Sequence, residues 1–200
     1  SLLFQRDGLI VMVDSSRSFL DCVVVDGLKF VEERIEIPAG RVVLSSTTQL
    51  HYFMLIDQLP VVVGCPWLDL VKDDEVLRSV DSGEMVNVTK GAELDLEKII
   101  ACRPDVFLYD PRDASIVPRL RSMGISCLPF YEYLETDPLK RLEWIQVTGA
   151  LAGDRQASEV ALMRVQDEYD RTRDEFPNLD EHSKKVLFGS FFQGKWSVAG

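Results

Sequence analysis

Histidine is scarce in this chain: two in 200 residues, His51 and His182, far apart in sequence. A multi-histidine metal site cannot be built from them. The four cysteines, Cys22, Cys65, Cys102 and Cys127, form no CxxC pair, which argues against a zinc ribbon or a thioredoxin-like motif. Cys102 and Cys127 sit among apolar residues and read as small core residues. Glycine-rich phosphate loops, HExxH and GxSxG are all missing. No apolar run is long enough to span a bilayer. No signal peptide is visible, because Ser1-Leu2-Leu3-Phe4 is followed at once by Gln5, Arg6 and Asp7. An excess of positive charge is lacking too. The formal net charge is -11, which repels phosphate backbones and argues against a nucleic-acid partner. There is no internal repeat and no low-complexity segment.

What is present is a folded α/β pattern. Hydrophobic residues make up 46% and charged residues 28%, a globular balance. The stretch Leu94–Tyr109 organises the reading. Asp95 is an N-cap and Glu97 lies in the first helical turn, where negative charge suits the helix dipole. Leu96, Ile99 and Ile100 share one face. Pro104 ends the helix, and Val106-Phe107-Leu108 reads as a strand buried on both faces. The following Tyr109–Asp113 lies at that strand's carboxyl end, where open α/β sheets bind ligands.

Around this stretch the spacing predicts an antiparallel hairpin from Leu9–Val13 and Leu20–Val25, with a further strand at Phe30–Ile37. Core strands follow at Arg41–Leu44, Val61–Val63 and Ser126–Leu128, with a short strand at Met85–Val88. Helices are predicted from Ser45–Thr48 to about Leu59, over Asp73–Val80, over Ala114–Met123, and from Asp137 to about Leu151. A long helix is expected over Arg155–Glu175, with a narrow apolar stripe that suits a brace across a molecule. Val186–Gly189 repeats the buried-strand pattern. The expected division is a hairpin extension at 1–40, an α/β lobe at 41–153, a connecting helix at 154–177, and the truncated start of a second lobe at 178–200.

No catalytic constellation stands out. Glu132, Glu135 and Glu143 read as solvated surface in so acidic a chain, His51 as a packed or surface residue, and His182 as a solvated linker residue. The loops leaving the strands' carboxyl ends should gather on one edge. They offer Ser46, Thr47, Trp67, Tyr109, Arg112 and Tyr131, with Lys90 nearby. Aromatics with a few polar groups suit a concave small-molecule site. The bland alternative is that Trp67 and Tyr131 only cover the sheet edge. Arg112 and Lys90 would match an anionic ligand.

Gly91-Ala92-Glu93-Leu94-Asp95-Leu96-Glu97 through Pro104-Asp105-Val106 resembles a signature of the substrate-binding proteins of ABC importers for iron-siderophores, haem and vitamin B12. Arg41–Ser45 matches that family's first core strand and Gly124–Leu128 a later one. Leu59–Gly64 matches another stretch, with Pro60 where glycine is usual. Glu135–Ile145, with Glu143-Trp144-Ile145 at its end, resembles a run of the iron-compound branch. Val186–Gly189 with Gly194-Lys195-Trp196 resembles the opening of the second lobe, and Trp196 joins the candidate ligand set on that ground. The resemblance implies two α/β lobes joined by one helix, a ligand between them, and no chemistry of the protein's own. It also implies a periplasmic or lipid-anchored location and an acidic permease-docking residue at Glu97. The scarcity of histidine argues against the family's metal-binding cousins. The alternative is an α/β nucleotide-binding or enzyme domain, whose phosphate loop Ser45–Thr48 lacks the glycine to form. With the second lobe incomplete, the helix's apolar stripe is expected to promote self-association.

Overall fold

The computed structural model describes residues 2–6, 9–14, 18–26, 29–175, 189–192 and 194–198. Two compact units are present, 1–164 and 165–200.

The first unit is built on a five-stranded parallel sheet and a four-stranded antiparallel one. The antiparallel sheet runs β1 (Leu2–Arg6), β2 (Leu9–Asp14), β3 (Phe19–Asp26) and β4 (Lys29–Glu36). The expected hairpin is its inner pair, β2 and β3, in register from Leu9↔Val24 to Asp14↔Phe19. Leu20, Cys22 and Ile35 of this sheet reach the main core. Glu33 on β4 pairs with Arg121 of the later α-helical layer.

The α/β part then unfolds in order: β5 (Val42–Leu44), α1 (Thr47–Met54), β6 (Val62–Cys65), α2 (Asp74–Asp81), β7 (Val86–Asn87), β8 (Thr89–Lys90), β9 (Glu93–Leu94), α3 (Leu96–Ala101), β10 (Val106–Tyr109), α4 (Val117–Ser122), β11 (Ser126–Pro129), α5 (Pro138–Leu142), α6 (Ile145–Ala152) and α7 (Arg155–Glu175). The parallel sheet has the order β11-β10-β5-β6-β7. Every residue of β5, β6 and β10 is buried, because helices cover both faces. Alternate residues feed two cores. Val42, Leu44, Val106 and Leu108 face one side with Leu50, Phe53 and Ile145. Val43, Phe107 and Tyr109 face the other with Ile99, Val117 and Leu120.

Short polar side chains start the helices. Ser46 caps α1, Asp73 caps α2, Asp95 caps α3 and Asp137 caps α5. Asp154 accepts from Ala157 N at 2.9 Å at the start of α7. Three predicted helices differ from what forms. The first stops at Met54, with Asp57 turning left-handed at φ 54° before a 3-10 turn through Pro60. The Ala114–Met123 helix begins as a 3-10 turn, Pro111–Ile116, because Pro118 cannot follow an α-turn that carries the Ala114 carbonyl. The helix expected from Asp137 to Leu151 breaks at Glu143-Trp144, where the Arg141 carbonyl accepts a bond from the Tyr52 hydroxyl at 2.9 Å.

The second unit contains an antiparallel pair, β12 (Gly189–Phe192) and β13 (Lys195–Val198), with Gly194 left-handed at the turn. The predicted strand Val186–Gly189 lies outside the described residues except for Gly189. Among the described residues no helix is long and apolar enough to cross a membrane.

Candidate functional site

The loops after β5, β10 and β11 meet at the carboxyl edge of the parallel sheet. Parallel pairing leaves the strands' last carbonyls and amides unmatched there, and the loops supply the partners. Ser45 N donates to Leu108 O at 3.0 Å, and Asp110 N donates to Ser45 Oγ at 2.8 Å. Phe130 N donates to Tyr109 O at 2.9 Å. Thr48 Oγ1 donates to Glu132 Oε1 at 2.6 Å, tying the first turn of α1 to the loop after β11.

Asp110 is the hub. It is 3% exposed and accepts both Nε and Nη2 of Arg112 at 2.9 Å, as well as Arg112 N at 2.8 Å. This fork-to-carboxylate geometry fixes the guanidinium plane. The Arg112 guanidinium carbon then lies 5.4 Å from the centre of the Tyr133 ring. Arg112 was expected to offer its charge to an anionic ligand. In the structure its charge is paired with a buried carboxylate of its own loop, and its side chain stays 74% exposed at the sheet edge.

Glu132 corrects the sequence reading. It reads in sequence as solvated surface, yet it is 3% exposed. Burial raises its pKa; the Thr48 hydroxyl opposes the rise and the charge of Asp110 adds to it. Asp113 is raised by burial too, with a Ser45 hydrogen bond and Arg112 opposing and Asp110 adding. An acid whose folded pKa exceeds its unfolded one binds protons more tightly when folded. The stability cost is therefore present above the folded pKa and is relieved as pH falls through it. Glu132→Gln keeps the acceptor for Thr48 and removes the charge. It should raise the melting temperature at pH 7, with the gain fading towards about pH 4, where carboxylates protonate in the unfolded chain. Melting curves across that range check this; a loss of stability at pH 7 would show that the charge is compensated.

The other expected site residues separate into groups. Ser46 is buried and shares a bond of 2.9 Å with Thr48 Oγ1. Thr47 borders a cleft of about 370 Å3 with His51, Met54, Leu70 and Lys72. Trp67 is half-buried and left-handed at φ 48°, a costly backbone state for a bulky residue at a strand's end. Tyr109 is 4% exposed and packs inward, with ring centres 6.5 Å from Phe107 and 6.2 Å from Tyr131. Tyr131 is half-buried, 6.4 Å from the Trp144 ring. Lys90 is exposed on β8, and Glu97 is exposed in the first turn of α3. Trp196 lies on β13, and its side chain falls outside the described residues, as does His182. The sequence reading placed Asp110, Thr48, Asp113 and Tyr133 in the loops at this edge without singling them out. Asp110 had a signal: an aspartate at a strand's carboxyl end followed by proline is an N-cap. Among the described residues no group of three or more His, Cys, Asp or Glu could hold a metal ion.

The family described as periplasmic binding protein matches residues 42–200. An uncharacterized lipoprotein of Methanocaldococcus jannaschii is 27% identical over 141 residues, covering 66% of this chain and 34% of that protein. The chain thus spans about a third of that relative's length. Among solved structures, the siderophore-binding protein BauB, bound to a complex of two acinetobactin molecules and ferric iron, superposes with a TM-score of 0.71 at 13% identity, over 90% of this chain and 62% of that one. The petrobactin-binding protein YclQ from Bacillus subtilis gives 0.68 at 14% identity, over 90% and 61%. At these identities the likeness is one of fold.

Proposed function

Since the chain belongs to the periplasmic binding protein family, we propose that it is the ligand-capturing part of an ABC importer, taking an iron-chelate, haem or a corrinoid to a membrane permease outside the cytoplasm. The observation that carries this is the edge where three strand-end loops converge, with Tyr133 and Arg112 stacked there and Trp67 at the end of a fourth strand. Such a wall of aromatic surface with a few oriented polar groups suits a small ligand. The structural neighbours include proteins for acinetobactin-bound iron and for petrobactin, which supports an iron-chelate. On this reading, 41–153 is the first lobe and 154–177 the connecting helix, with a second lobe opening at 178–200. Glu97 docks the permease, where its exposure in the first turn of α3 serves it. The competing reading, a nucleotide-binding or enzyme domain, needs a glycine loop after β5, and Ser45–Thr48 has none.

The test is a thermal-shift screen of the full-length protein against ferric siderophores, haem and cobalamins. A ligand at a hundredfold excess over its Kd stabilises by about 2.7 kcal/mol. At about 2–4 °C per kcal/mol for a chain of this size, a shift of about 5–10 °C is expected. A shift with nucleotides and with none of these ligands would replace this reading with the enzyme one.

A further inference from the structure

We infer that Asn87 is an N-glycosylation site, carrying a glycan on its side-chain amide at the open edge of the parallel sheet. The inference rests on the placement of the protein outside the cytoplasm and is independent of which ligand it binds.

The chain has two asparagines, Asn87 and Asn178. Asn87 opens the run Asn87-Val88-Thr89, the Asn-x-Ser/Thr pattern to which glycans are attached, whereas Asn178 is followed by Leu179-Asp180. Asn87 ends β7, the last strand in the sheet order, which pairs with β6 alone among the described residues. Side chains alternate along an extended segment. Val88 is 0% exposed and anchors this one in the core with Val63 and Ile99. The half-buried side chains on either side of it meet: Thr89 Oγ1 donates to Asn87 Oδ1 at 2.7 Å, and Thr89 N donates to the same oxygen at 3.3 Å. The asparagine side chain thereby closes an Asx turn on its own pattern.

That turn uses one half of the amide. Thr89 N can only donate, which fixes Oδ1 as the bonded end and Nδ2 as the free one. Among the described residues the buried polar atoms without a partner are Gln49 Nε2 and Arg155 Nε, so Asn87 Nδ2, which donates to no described residue, is open to water. An aspartate would accept the same two bonds, and this chain carries 33 acidic residues against two asparagines. The amide nitrogen thus has no task in the fold, and it is the atom that takes a glycan. The Thr89 hydroxyl on Oδ1 polarises the amide and makes its N–H more acidic. In the transfer, Nδ2 attacks the anomeric carbon of a sugar carried on a polyprenyl phosphate or pyrophosphate, brought by a membrane-bound transferase. A C–N bond forms as the anomeric C–O bond breaks. The lipid phosphate leaves with that electron pair, and the amide proton passes to a base of the transferase. The attached sugar displaces no hydrogen bond of the fold. It lies beside Val86, 40% exposed on the same strand, and covers an edge otherwise open to pairing with another chain.

The test uses the full-length protein isolated from the cells that make it, with membrane, exported and cytoplasmic fractions kept apart. Trypsin cuts after Arg78 and Lys90 and releases Ser79–Lys90, in which Asn87 is the one asparagine. Mass spectrometry should find most of this peptide heavier by a glycan, with fragment ions placing the added mass on Asn87. Asn87→Asp keeps the acceptor for both Thr89 bonds and removes the amide, so the protein should fold and the glycan should vanish. Thr89→Val should abolish the glycan as well, and Thr89→Ser should keep it. An unmodified peptide from the membrane or exported fraction overturns the inference and leaves the importer reading standing. So does an added mass that survives Asn87→Asp, which places it on a hydroxyl of the same peptide. Recovery of the protein in the cytoplasm alone, unmodified, overturns both.

Discussion

Gly149→Ala should destabilise the chain by about 2 kcal/mol, although alanine is the better helix former. Gly149 lies in α6, where an added Cβ would meet the Ser158 Cβ at 2.5 Å and the Asp154 carbonyl oxygen at 3.0 Å. Neither atom is the free end of a flexible side chain. Ser158 is 1% exposed, and its hydroxyl is tied to Arg155 O at 2.7 Å. Overpacking of this kind costs up to about 3 kcal/mol. The intrinsic preference of alanine over glycine returns about 1 kcal/mol. The sign of the net effect therefore reports the packing. A loss of about 2 kcal/mol lowers the melting temperature by roughly 4–8 °C. The same substitution in a Ser158→Gly background removes the obstructing Cβ and should become neutral or stabilising, a coupling that a double-mutant cycle measures. Stabilisation by Gly149→Ala in the wild-type background would mean that α6 and the start of α7 do not approach as described.

The strands of the parallel sheet were legible because each is buried on both faces. Val42–Leu44 and Val106–Tyr109 read as short unbroken apolar runs for that reason. Most helix starts were legible as well, since Asp95, Asp137 and Asp154 act on amides two or three residues away. What could not be read depends on distant partners. At the break between α5 and α6 a hydroxyl on α1, that of Tyr52, reaches the Arg141 carbonyl. The buried Glu132 takes its side-chain hydrogen bond from Thr48, 84 residues earlier in the chain. In sequence, Glu132 is one acid among 33 acidic residues, and nothing local distinguishes it. Arg112 shows the intermediate case. Its place at the carboxyl edge of the sheet was legible from strand order, yet its pairing with Asp110 was not.

Trp144→Ala is expected to cost about 4 kcal/mol and to loosen the site from behind. Trp144 is 1% exposed and, among the described residues, is the largest of the fully buried side chains. Its ring centre lies 5.0 Å from Phe130 and 6.4 Å from Tyr131, and its Nε1 donates to Glu135 Oε1 at 3.1 Å. It thus braces both ends of the segment Phe130–Glu135, which carries Glu132 and Tyr133. Truncating a buried tryptophan costs about 3–5 kcal/mol in lost transfer energy and cavity. For a chain of this size that lowers the melting temperature by roughly 8–16 °C. Trp144→Phe keeps an aromatic ring in the gap and gives up the bond to Glu135, so its loss should be nearer 1–2 kcal/mol, a net hydrogen bond plus a little volume. The two variants also separate packing from function. Affinity for whichever chelate binds should fall about tenfold in Trp144→Ala, measured below its melting temperature, because the loop bearing Glu132 and Tyr133 is no longer fixed. In Trp144→Phe it should stay within about twofold of wild type, each tenfold step being about 1.4 kcal/mol of binding energy. A full stability loss with unchanged affinity would show that the loop holds its shape without Trp144, on the bonds it makes to Thr48, Arg141 and the Tyr109 carbonyl.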